Sequence, residues 1–525
     1  MKQNLTASVY SFEDLIQGKF LYVDKTEYIW QLIKPAKEMY FLSRPRRFGK
    51  SLTVSTLKAV FEGKKELFKG LAIYDKPYDW KPYPVIHLDL NGWNFGGRQE
   101  VKNSLCGLVR ECAEDHGVSI SANEPEEMLR QLIRALSEQG QVVMLLDEYD
   151  KPILNNIGKP ESRQILADLK SFYSVIKAFE RKLRFAFITG VSKFSHVSLF
   201  SDLNNLTDIT MDARYATMFG YTQDEFESSF REWIASVEPH VGLPHEDLLA
   251  EIKNWYDGYR FEESSETVYN PVSLANFFTH NGKFDNYWFS TGTASFLFEL
   301  MRKQHFDLPE ALESTVSSAF FEAFEIDRLD PKTLLYQTGY LTIGQTVKVP
   351  VPFTKVQNTE YSLVFPNHEV KSSFNDHLLK YYANVQTDQS QRLIRELIQE
   401  IGSGNADGFM RRLQVLFANI PYNMRGKQEH DYQTIIYVIF MMLNFFIEAE
   451  HHTNEGRIDL MFSAGEWIYV VELKINKSAE EAMRQIRDNN YAVKFMNRGK
   501  KIMLIGANLD SEKGQLTDWI KEAVQ

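Results

Sequence analysis

Four short apolar runs, separated by amphipathic segments, are the feature that most restricts how this chain can fold. The runs are "MYFLS" at 39–43, "VIHLDL" at 85–90, "VVMLLDEYD" at 142–150 and "RFAFITGVS" at 184–192. Runs this short and this apolar are typical of strands that are buried on both faces of a sheet. Because helical stretches such as "EVKNSLCGLVRECAEDHG" lie between them, we expect an α/β fold in which helices cover a parallel sheet.

The first apolar run leads into "SRPRRFGKS", which ends like a phosphate-binding loop. In such a loop backbone amides surround the phosphates, a lysine reaches the β- and γ-phosphates, and a hydroxyl binds Mg²⁺. Gly49, Lys50 and Ser51 fit these positions, and the apolar residues that follow recur at helical spacing. The usual leading glycine is Arg44 here, and "PRRF" replaces a Gly-rich loop. A basic turn capped by Ser51 is therefore the alternative interpretation.

The run at 142–150 contains Asp147-Glu148 at its carboxyl end, where an acidic pair would complete a nucleotide site. An aspartate there holds Mg²⁺ through water, and a neighbouring glutamate activates the hydrolytic water. The run at 184–192 contains Thr189 and Ser192, either of which falls where a polar sensor of the γ-phosphate is expected. The predicted ATP ligands are Gly49, Lys50, Ser51, Asp147, Glu148 and Thr189, with Ser51 and Asp147 on the metal.

The stretch "GRIDLMFSAGEWIYVVELKIN" at 456–476 carries charges inside an otherwise apolar strand. Side chains alternate along a strand, so Glu472 and Lys474 share one face, and the turn-like "SAGE" lets a hairpin bring Asp459 close to Glu472. Two carboxylates can hold Mg²⁺ and leave room for a phosphate oxygen, while Lys474 orients or helps to deprotonate an attacking water. This arrangement predicts phosphodiester hydrolysis, and a structural ion pair at a sheet edge is the alternative.

Asp459, followed at a hairpin's distance by "ELK" at 472–474, resembles the PD-(D/E)XK nuclease superfamily. The resemblance implies that Asp459 and Glu472 bind the metal, that Lys474 assists the water, and that Gln485 on the following helix supports the site. These four residues, together with Glu148 in the nucleotide site, are the predicted catalytic residues.

Further positions bear on the same resemblance. Ile458 replaces the proline of the superfamily's name without removing a catalytic group, and Tyr491 accompanies Gln485 on the following helix. An upstream helical glutamate often completes such a metal site, and both Glu429 and Glu450 are candidates.

Four motifs of the first two hundred residues resemble the AAA-ATPase-like domain of a bacterial family in which this domain is fused to a PD-(D/E)XK nuclease. The motifs are "YVDKTEYI", "SRPRRFGKSL", "LLDEYDKPI" and "FITGVSKFS". The resemblance continues through "WYDGYRF" and "FPNHEVKSSF", so it covers nearly the whole chain. It implies a protein that binds and hydrolyses ATP and, under nucleotide control, cleaves DNA or RNA with Mg²⁺. The alternative is a nucleotide-switched binding or scaffold protein whose nuclease-like domain is inactive.

The sequence predicts three regions. Residues 1–205 form an AAA-ATPase-like P-loop domain, residues 206–402 a mostly helical lid or linker, and residues 403–525 an α/β PD-(D/E)XK nuclease-like domain. The polar, Gly-rich stretch "GSGNADG" at 402–408 marks the second boundary.

Composition limits the partners. A net charge of −11 over 525 residues argues against a protein that coats DNA generally, although it does not exclude a local nucleic-acid site, for which we favour DNA over RNA. The longest apolar run, at 435–447, is too short to span a bilayer, and no secretory signal is visible, so we expect a cytoplasmic protein without membrane contact. ATPases of this class often act as multimers, which makes a homo-oligomer possible.

Overall fold

The computed structural model of the protein describes residues 3–193, 206–288, 295–304, 306–322, 329–351, 354, 356–383, 386–418, 439, 448–454, 457–489 and 499–524. Between residues 448 and 461 only the backbone is described. The chain divides into two compact units. Unit 1 comprises Met1–Thr291 and Thr315–Val370, and unit 2 comprises Gly292–Ser314 and Lys371–Gln525. The middle region at 206–402 thus contributes to both units, and its boundaries stay a prediction.

Unit 1 contains the predicted parallel sheet. Its five strands are β1 (Glu38–Ser43), β2 (Val85–Asp89), β3 (Val142–Asp147), β4 (Leu183–Gly190) and β5 (Leu206–Asp208). They lie in the order β2-β3-β4-β1-β5, and every pair is parallel. The prediction of an α/β fold is confirmed. Because the strands are parallel, the loop after β1 and the carboxyl end of β3 meet at the same edge of the sheet.

Helices cover both faces of this sheet. They are α1 (Phe12–Gln17), α2 (Thr26–Ile33), α3 (Lys50–Phe61), α4 (Arg98–Asp115), α5 (Pro125–Leu136), α6 (Lys151–Leu154) and α7 (Ser162–Ala178). Met144, Leu146 and Ile188 pack into one core with α4, α5 and α7. Side chains alternate along a strand, so Asp147 and Thr189 project to the opposite face, where α3 lies against β2, β3 and β4.

The middle region is helical in part. Helices α8 (Gln223–Ser229), α9 (Arg231–Val241), α10 (His245–Tyr256) and α11 (Pro271–Thr279) contribute to an aromatic core. It also contains an antiparallel sheet, which forms from β6 (Val316–Ser317), before α14 (Pro331–Thr338), and from β7 (Thr342–Pro350) and β8 (Gln357–Val364), after it. The sequence analysis did not predict this sheet, because most side chains of β7 are exposed and give no apolar alternation.

Unit 2 contains a five-stranded mixed sheet in the order β13-β12-β11-β10-β9. The strands are β9 (Glu448–Asn454), β10 (Arg457–Ala464), β11 (Trp467–Ile475), β12 (Lys501–Asp510) and β13 (Gln515–Val524). Only β11 and β12 pair in parallel. The apolar run "KIMLIGA" begins β12, and β13 follows it as an antiparallel partner.

The remaining helices are α12 (Ser295–Lys303), α13 (Leu308–Glu313), α15 (His368–Ala383), α16 (Thr387–Gly402), α17 (Ala406–Ala418) and α18 (Ala479–Asp488). The Gly-rich stretch at 402–408 connects α16 to α17 within unit 2. Helix α18 packs on β11 and β12. Among the described helices, none combines the length and the apolar character that crossing a bilayer requires.

Candidate functional site

Strand β11 of unit 2 presents a face that changes from apolar to charged along its length. Ile468 and Val470 pack against Met483 and Ile486 of α18. Glu472 and Lys474 continue the same face, as predicted, and are 0% and 4% exposed. Since burying an unpaired charge is costly, these two side chains need partners in the interior.

The partners are each other and a glutamine. Nζ of Lys474 donates a hydrogen bond to Oε1 of Glu472 at 2.6 Å. It also donates a short hydrogen bond to Oε1 of Gln485, which extends from α18. The structure therefore brings together three residues that the sequence analysis placed in the nuclease site.

Two polar atoms of this cluster remain unsatisfied. Oε2 of Glu472 and Nε2 of Gln485 are buried, and neither has a hydrogen-bond partner among the described residues. A buried carboxylate oxygen without a donor is a suitable ligand for a hard cation such as Mg²⁺. The donor set at β11 therefore fits the metal that the sequence predicts.

The backbone places Asp459 beside this cluster. Strands β10 and β11 form the predicted hairpin, which turns at residues 465–466, and Asp459 pairs directly with Glu472. The side chain of Asp459 lies outside the described residues. Among the side chains that are described, no group of three or more His, Cys, Asp or Glu has metal-binding geometry.

The structure gives partial information on the other nuclease candidates. Glu450 lies in strand β9, opposite Met461, so the expectation that it is a helical glutamate is wrong. Its position follows from the edge strand that extends the hairpin sheet. Glu429 and Tyr491 lie outside the described residues.

Gly506 explains how α18 comes close enough for Gln485 to reach Lys474. This glycine pairs with Glu472 across β11 and β12. A Cβ atom at residue 506 would lie 2.5 Å from the backbone nitrogen of Met483 and 2.7 Å from the carbonyl oxygen of Ala479. Only a glycine permits this approach. The sequence analysis missed Gly506, although a glycine inside an apolar strand is a known signal of close backbone contact.

The start of α18 is also fixed by side chains. Oγ of Ser478 accepts a hydrogen bond from the backbone nitrogen of Glu481 at 3.1 Å, as in an N-cap. The amide oxygen of Asn508, which pairs with Lys474 across the sheet, accepts from the backbone nitrogen of Lys477 at 2.8 Å. Strand β12, the neighbour of the strand that carries the site, therefore holds the turn that leads into α18.

In unit 1 the predicted phosphate loop connects β1 to α3. Gly49 has a φ of +90°, which favours glycine, and α3 begins at Lys50 as predicted. Nζ of Lys50 donates hydrogen bonds to the carbonyl oxygens of Arg44, at 3.0 Å, and of Pro45, at 2.9 Å. Burial lowers the pKa of Lys50. Lys50 thus links the end of the loop to its start through hydrogen bonds.

The phosphate loop carries bulky side chains at positions where such loops usually have glycines, and these side chains pack against other parts of unit 1. The ring of Phe48 meets Tyr259 and Phe261 edge to face, at centroid distances of 4.7 and 5.2 Å. The guanidinium of Arg44 lies 4.3 Å from the centroid of Phe261. A Cβ atom on Gly339 would approach Cβ of Pro45 to 2.6 Å. Packing against these residues therefore defines the loop conformation.

Asp147 lies beside the loop. Burial raises the pKa of Asp147 to about 6, whereas a hydrogen bond from Ser51 and the charge of Lys50 act in the opposite direction. The structure therefore brings Lys50, Ser51 and Asp147 together. The adjacent Glu148 has an unusual φ of +53°, and its Oε2 lies 3.4 Å from Nζ of Lys151.

The two candidate sensors differ in their contacts. The hydroxyl of Ser192 donates to Oδ2 of Asp150 at 2.6 Å. Oγ1 of Thr189 is fully buried and has no partner among the described residues. Of the two hydroxyls, that of Thr189 is the one left for a ligand.

Sequence reasoning missed two acidic residues near this site. Asp150 accepts hydrogen bonds from the backbone nitrogens of Val191 and Ser192, at 3.1 and 2.7 Å, and so fixes the turn after β4. Asp89 pairs with Asp147 across β2 and β3. The strings "DEYD" and "HLDL" contained both residues, but nothing local indicated their partners.

Comparison with known proteins accounts for both units. Residues 6–200 match the family described as "Predicted AAA-ATPase", and residues 427–519 match the "PD-(D/E)XK nuclease superfamily". The chain belongs to a family of predicted AAA-ATPase-like proteins with a C-terminal PD-(D/E)XK nuclease superfamily domain. The predicted family is therefore confirmed.

A relative from Azotobacter chroococcum mcd 1, described as "Uncharacterized protein in vnfD 5'region", matches along the whole length. It is 34% identical over 535 aligned residues, which cover 100% of this chain and 99% of the relative. The two proteins thus share the same combination of regions.

Proposed function

We propose that this protein binds and hydrolyses ATP in unit 1 and hydrolyses phosphodiester bonds of DNA or RNA in unit 2, with Mg²⁺ at both sites. The observation that carries the nuclease assignment is the buried contact of Lys474 with Glu472 and Gln485, next to a carboxylate oxygen that has no partner among the side chains described. Family membership supports both activities in coarser form.

In the nuclease site Glu472 and Asp459 would hold the cation. A bound Mg²⁺ supplies positive charge to a phosphate oxygen and lowers the pKa of a coordinated water. Glu472 and Gln485 fix the ammonium group of Lys474 in a buried position. From there Lys474 orients the attacking water and stabilises the negative charge that develops on phosphorus.

In the nucleotide site Lys50 exchanges its hydrogen bonds to the carbonyls of Arg44 and Pro45 for bonds to phosphate oxygens. Ser51 and Asp147 would hold Mg²⁺, which neutralises phosphate charge. Glu148 acts as the base for the hydrolytic water. Thr189 donates its unpartnered hydroxyl to the γ-phosphate.

The docked loop supports nucleotide regulation. A movement of Lys50 away from the loop carbonyls changes the backbone that Phe48 and Arg44 fasten to Phe261. Nucleotide binding thereby alters the position of the segment of unit 1 that contains Phe261. This change in position controls cleavage.

A nucleotide-switched binding protein is the second candidate. The phosphate loop favours this candidate, because "PRRF" lacks the glycines that allow backbone amides to surround phosphates. The packing of Phe48 against Tyr259 also restricts the movement of the loop. ATP binding that occurs without hydrolysis, together with no cleavage, would support this candidate.

The deciding experiment incubates the full chain with labelled DNA and with labelled RNA, with and without Mg²⁺ and ATP. We expect Mg²⁺-dependent cleavage that ATP modulates. A Lys50→Ala variant should lose ATP binding and the effect of ATP, while a Lys474→Met variant should lose cleavage. Equal cleavage by the parent and by Lys474→Met, after identical purification, would rule out the nuclease assignment.

The finer assignments are also proposals. We propose DNA rather than RNA as the substrate, the cytoplasm as the location, and a homo-oligomer as the active form. The parallel DNA and RNA arms above test the substrate, and the mass of the chain in solution, with and without ATP, tests the oligomer.

A further inference from the structure

The side chain of Arg44, at the start of the phosphate loop, is buried. It is 2% exposed. Nη1 donates hydrogen bonds to the carbonyl oxygens of Ser43, at 3.0 Å, and of Thr210, at 2.6 Å. The guanidinium also lies over Phe261. One of its three nitrogens is therefore satisfied by carbonyl groups.

The other two nitrogens have no such partner. Nε and Nη2 of Arg44 are buried and make no hydrogen bond to any described residue. The side chain lines a cavity of about 20 Å³, which has room for one ligand the size of a water molecule or a halide ion. Its other lining residues include Thr210, Phe261, Tyr336 and Gln337.

Within the described part of the chain, no carboxylate forms an ion pair with Arg44. Asp208 is the acidic residue whose charge acts on the pKa of Arg44, but Asp208 forms an ion pair with Lys193 at 2.7 Å. Burial lowers the pKa of Arg44 to about 10, so the group stays positive at neutral pH. A buried cation of this kind needs a counter-charge or strong acceptors.

The neighbouring polar groups leave donors for the cavity. Oε1 of Gln337 accepts a hydrogen bond from the backbone nitrogen of Lys193 at 3.2 Å, so the amide nitrogen of Gln337 is the group that remains. The hydroxyl of Thr342 is already used twice, with the backbone nitrogen and oxygen of Arg260, at 2.8 and 2.9 Å. A ligand here meets N–H donors and a positive charge, which suits an anion.

We propose that this cavity binds one small monovalent anion of chloride size, held by Nε and Nη2 of Arg44. The bound anion supplies the missing counter-charge and fixes Arg44. The carbonyl oxygen of Arg44 accepts a hydrogen bond from Lys50, so an anion that fixes Arg44 also stabilises the phosphate loop. The site is separate from the proposed catalytic chemistry and does not depend on it.

Thermal unfolding of the full chain tests the proposal. The midpoint is measured in potassium chloride and in potassium gluconate of equal ionic strength. We expect the midpoint to rise by about 1–2 °C once chloride exceeds its dissociation constant roughly five-fold, to keep rising with the logarithm of the chloride concentration, and not to rise in gluconate. Bromide should act like chloride because it has a similar size.

Two arginine variants give the matched comparison. Arg44→Gln should abolish the chloride-specific rise. Arg184→Gln should keep it, because Arg184 is another buried arginine of unit 1 that also has one nitrogen without a partner among the described residues, but it does not line this cavity. A chloride rise of the same size in the parent and in Arg44→Gln would overturn the proposal.

A second measurement needs only the parent chain, in case Arg44→Gln does not fold. Crystals of the full chain grown in bromide should show an anomalous peak within hydrogen-bonding distance of Nε or Nη2 of Arg44. An ordered water in that position, or no peak at saturating bromide, would show that no anion binds and would reject the site.

Discussion

Nζ of Lys474 lies 2.6 Å from Oε1 of Glu472, and both side chains are buried in one face of β11. A buried ion pair is a weak source of stability, because desolvation opposes the attraction between the charges. Apolar residues of similar volume would serve the fold of this sheet at least as well. The pair includes a carboxylate oxygen that no described residue satisfies, and it is therefore better explained by chemistry than by packing.

Replacing one or both members of this pair separates chemistry from stability. Lys474→Met leaves Glu472 buried without its partner, so we expect a loss of about 3–5 kcal/mol in the free energy of unfolding, together with loss of cleavage. The double variant Glu472→Gln, Lys474→Met removes both charges and should recover most of that stability. Cleavage should stay absent. Urea unfolding and cleavage of labelled DNA measure the two effects.

Lys501→Met is the matched control in the same sheet. The exposed side chain of Lys501 forms an ion pair with Glu466, at 3.4 Å, and lies 5.4 Å from the ring centroid of Trp467. We expect its stability and its cleavage to equal those of the parent. Cleavage retained by the double variant would contradict the assigned roles.

Gly506→Ala tests the close approach of α18 to β12. The added methyl group would lie 2.5 Å from the backbone nitrogen of Met483, so the helix must move. Overpacking of this kind costs about 1–3 kcal/mol in the free energy of unfolding. The movement also withdraws Gln485 from Lys474, so cleavage should fall.

Gly402→Ala is the control for this prediction. Its new methyl group meets no atom within 4 Å, so the free energy of unfolding and the cleavage should stay unchanged. Full cleavage in Gly506→Ala would show that Gln485 does not support the site.

The pH dependence of nucleotide binding tests Asp147. Burial raises its pKa to about 6, so the folded protein holds the proton more tightly than the unfolded chain does. The carboxyl group of Asp147 therefore lowers the free energy of unfolding as pH rises from the ordinary pKa of an aspartate towards 6.

Binding of Mg²⁺ needs the ionised carboxylate of Asp147. The affinity of the protein for Mg-ATP should therefore be constant above pH 7 and fall about tenfold per pH unit well below 6. Calorimetric titration measures this affinity.

Asp147→Asn provides the comparison for that titration. It should bind Mg-ATP weakly at every pH and lack the decline below pH 6. If the variant shows the same decline as the parent, another group controls the affinity.

Glu369 should make the stability of unit 1 depend on pH. Its buried carboxylate accepts hydrogen bonds from the backbone nitrogens of Tyr287 and Trp288, at 2.6 and 2.7 Å, and from Oγ of Ser273 at 2.8 Å. Burial nevertheless raises its pKa from 4.5 to about 7. The proton is thus favoured in the folded state, and stability should fall by up to roughly 3 kcal/mol as pH rises through this window.

Glu369→Gln removes the titrating group and keeps its shape. Its stability should vary less between pH 5 and pH 8, as measured by urea unfolding at each pH. Glu138→Gln, at an exposed turn, should behave like the parent. A slope that is the same in all three proteins would exclude Glu369 as its source.

Local patterns predicted those elements whose burial is reflected in their own residues. Strands β1 to β4 are apolar along their length, and the start of α3 is marked by Gly49 and Lys50. The hairpin register of Asp459 and Glu472 follows from alternation and a short turn. Strand β13 escaped prediction because Leu516, Trp519 and Ile520 are spaced as on a helix, and only Leu516 is buried.

Long-range partners could not be predicted in this way. The side chain of Arg44 packs against Phe261, and Glu369 accepts from Tyr287, more than eighty residues away in sequence. Alternation and helical spacing describe which side of an element is buried, but not which residue covers it. The docking of the phosphate loop by Phe48 belongs to the same class of contact.

Each unit is assembled from two separate stretches, since Gly292–Ser314 belongs to unit 2 although it interrupts unit 1. A ribosome therefore releases part of unit 2 before unit 1 is complete, and the first unit cannot finish folding until Val370 has emerged. For the same reason, no single truncation yields either unit by itself. A fragment that begins at residue 403 would lack both Gly292–Ser314 and the start of the second stretch, so an inactive fragment would reveal nothing about the intact protein.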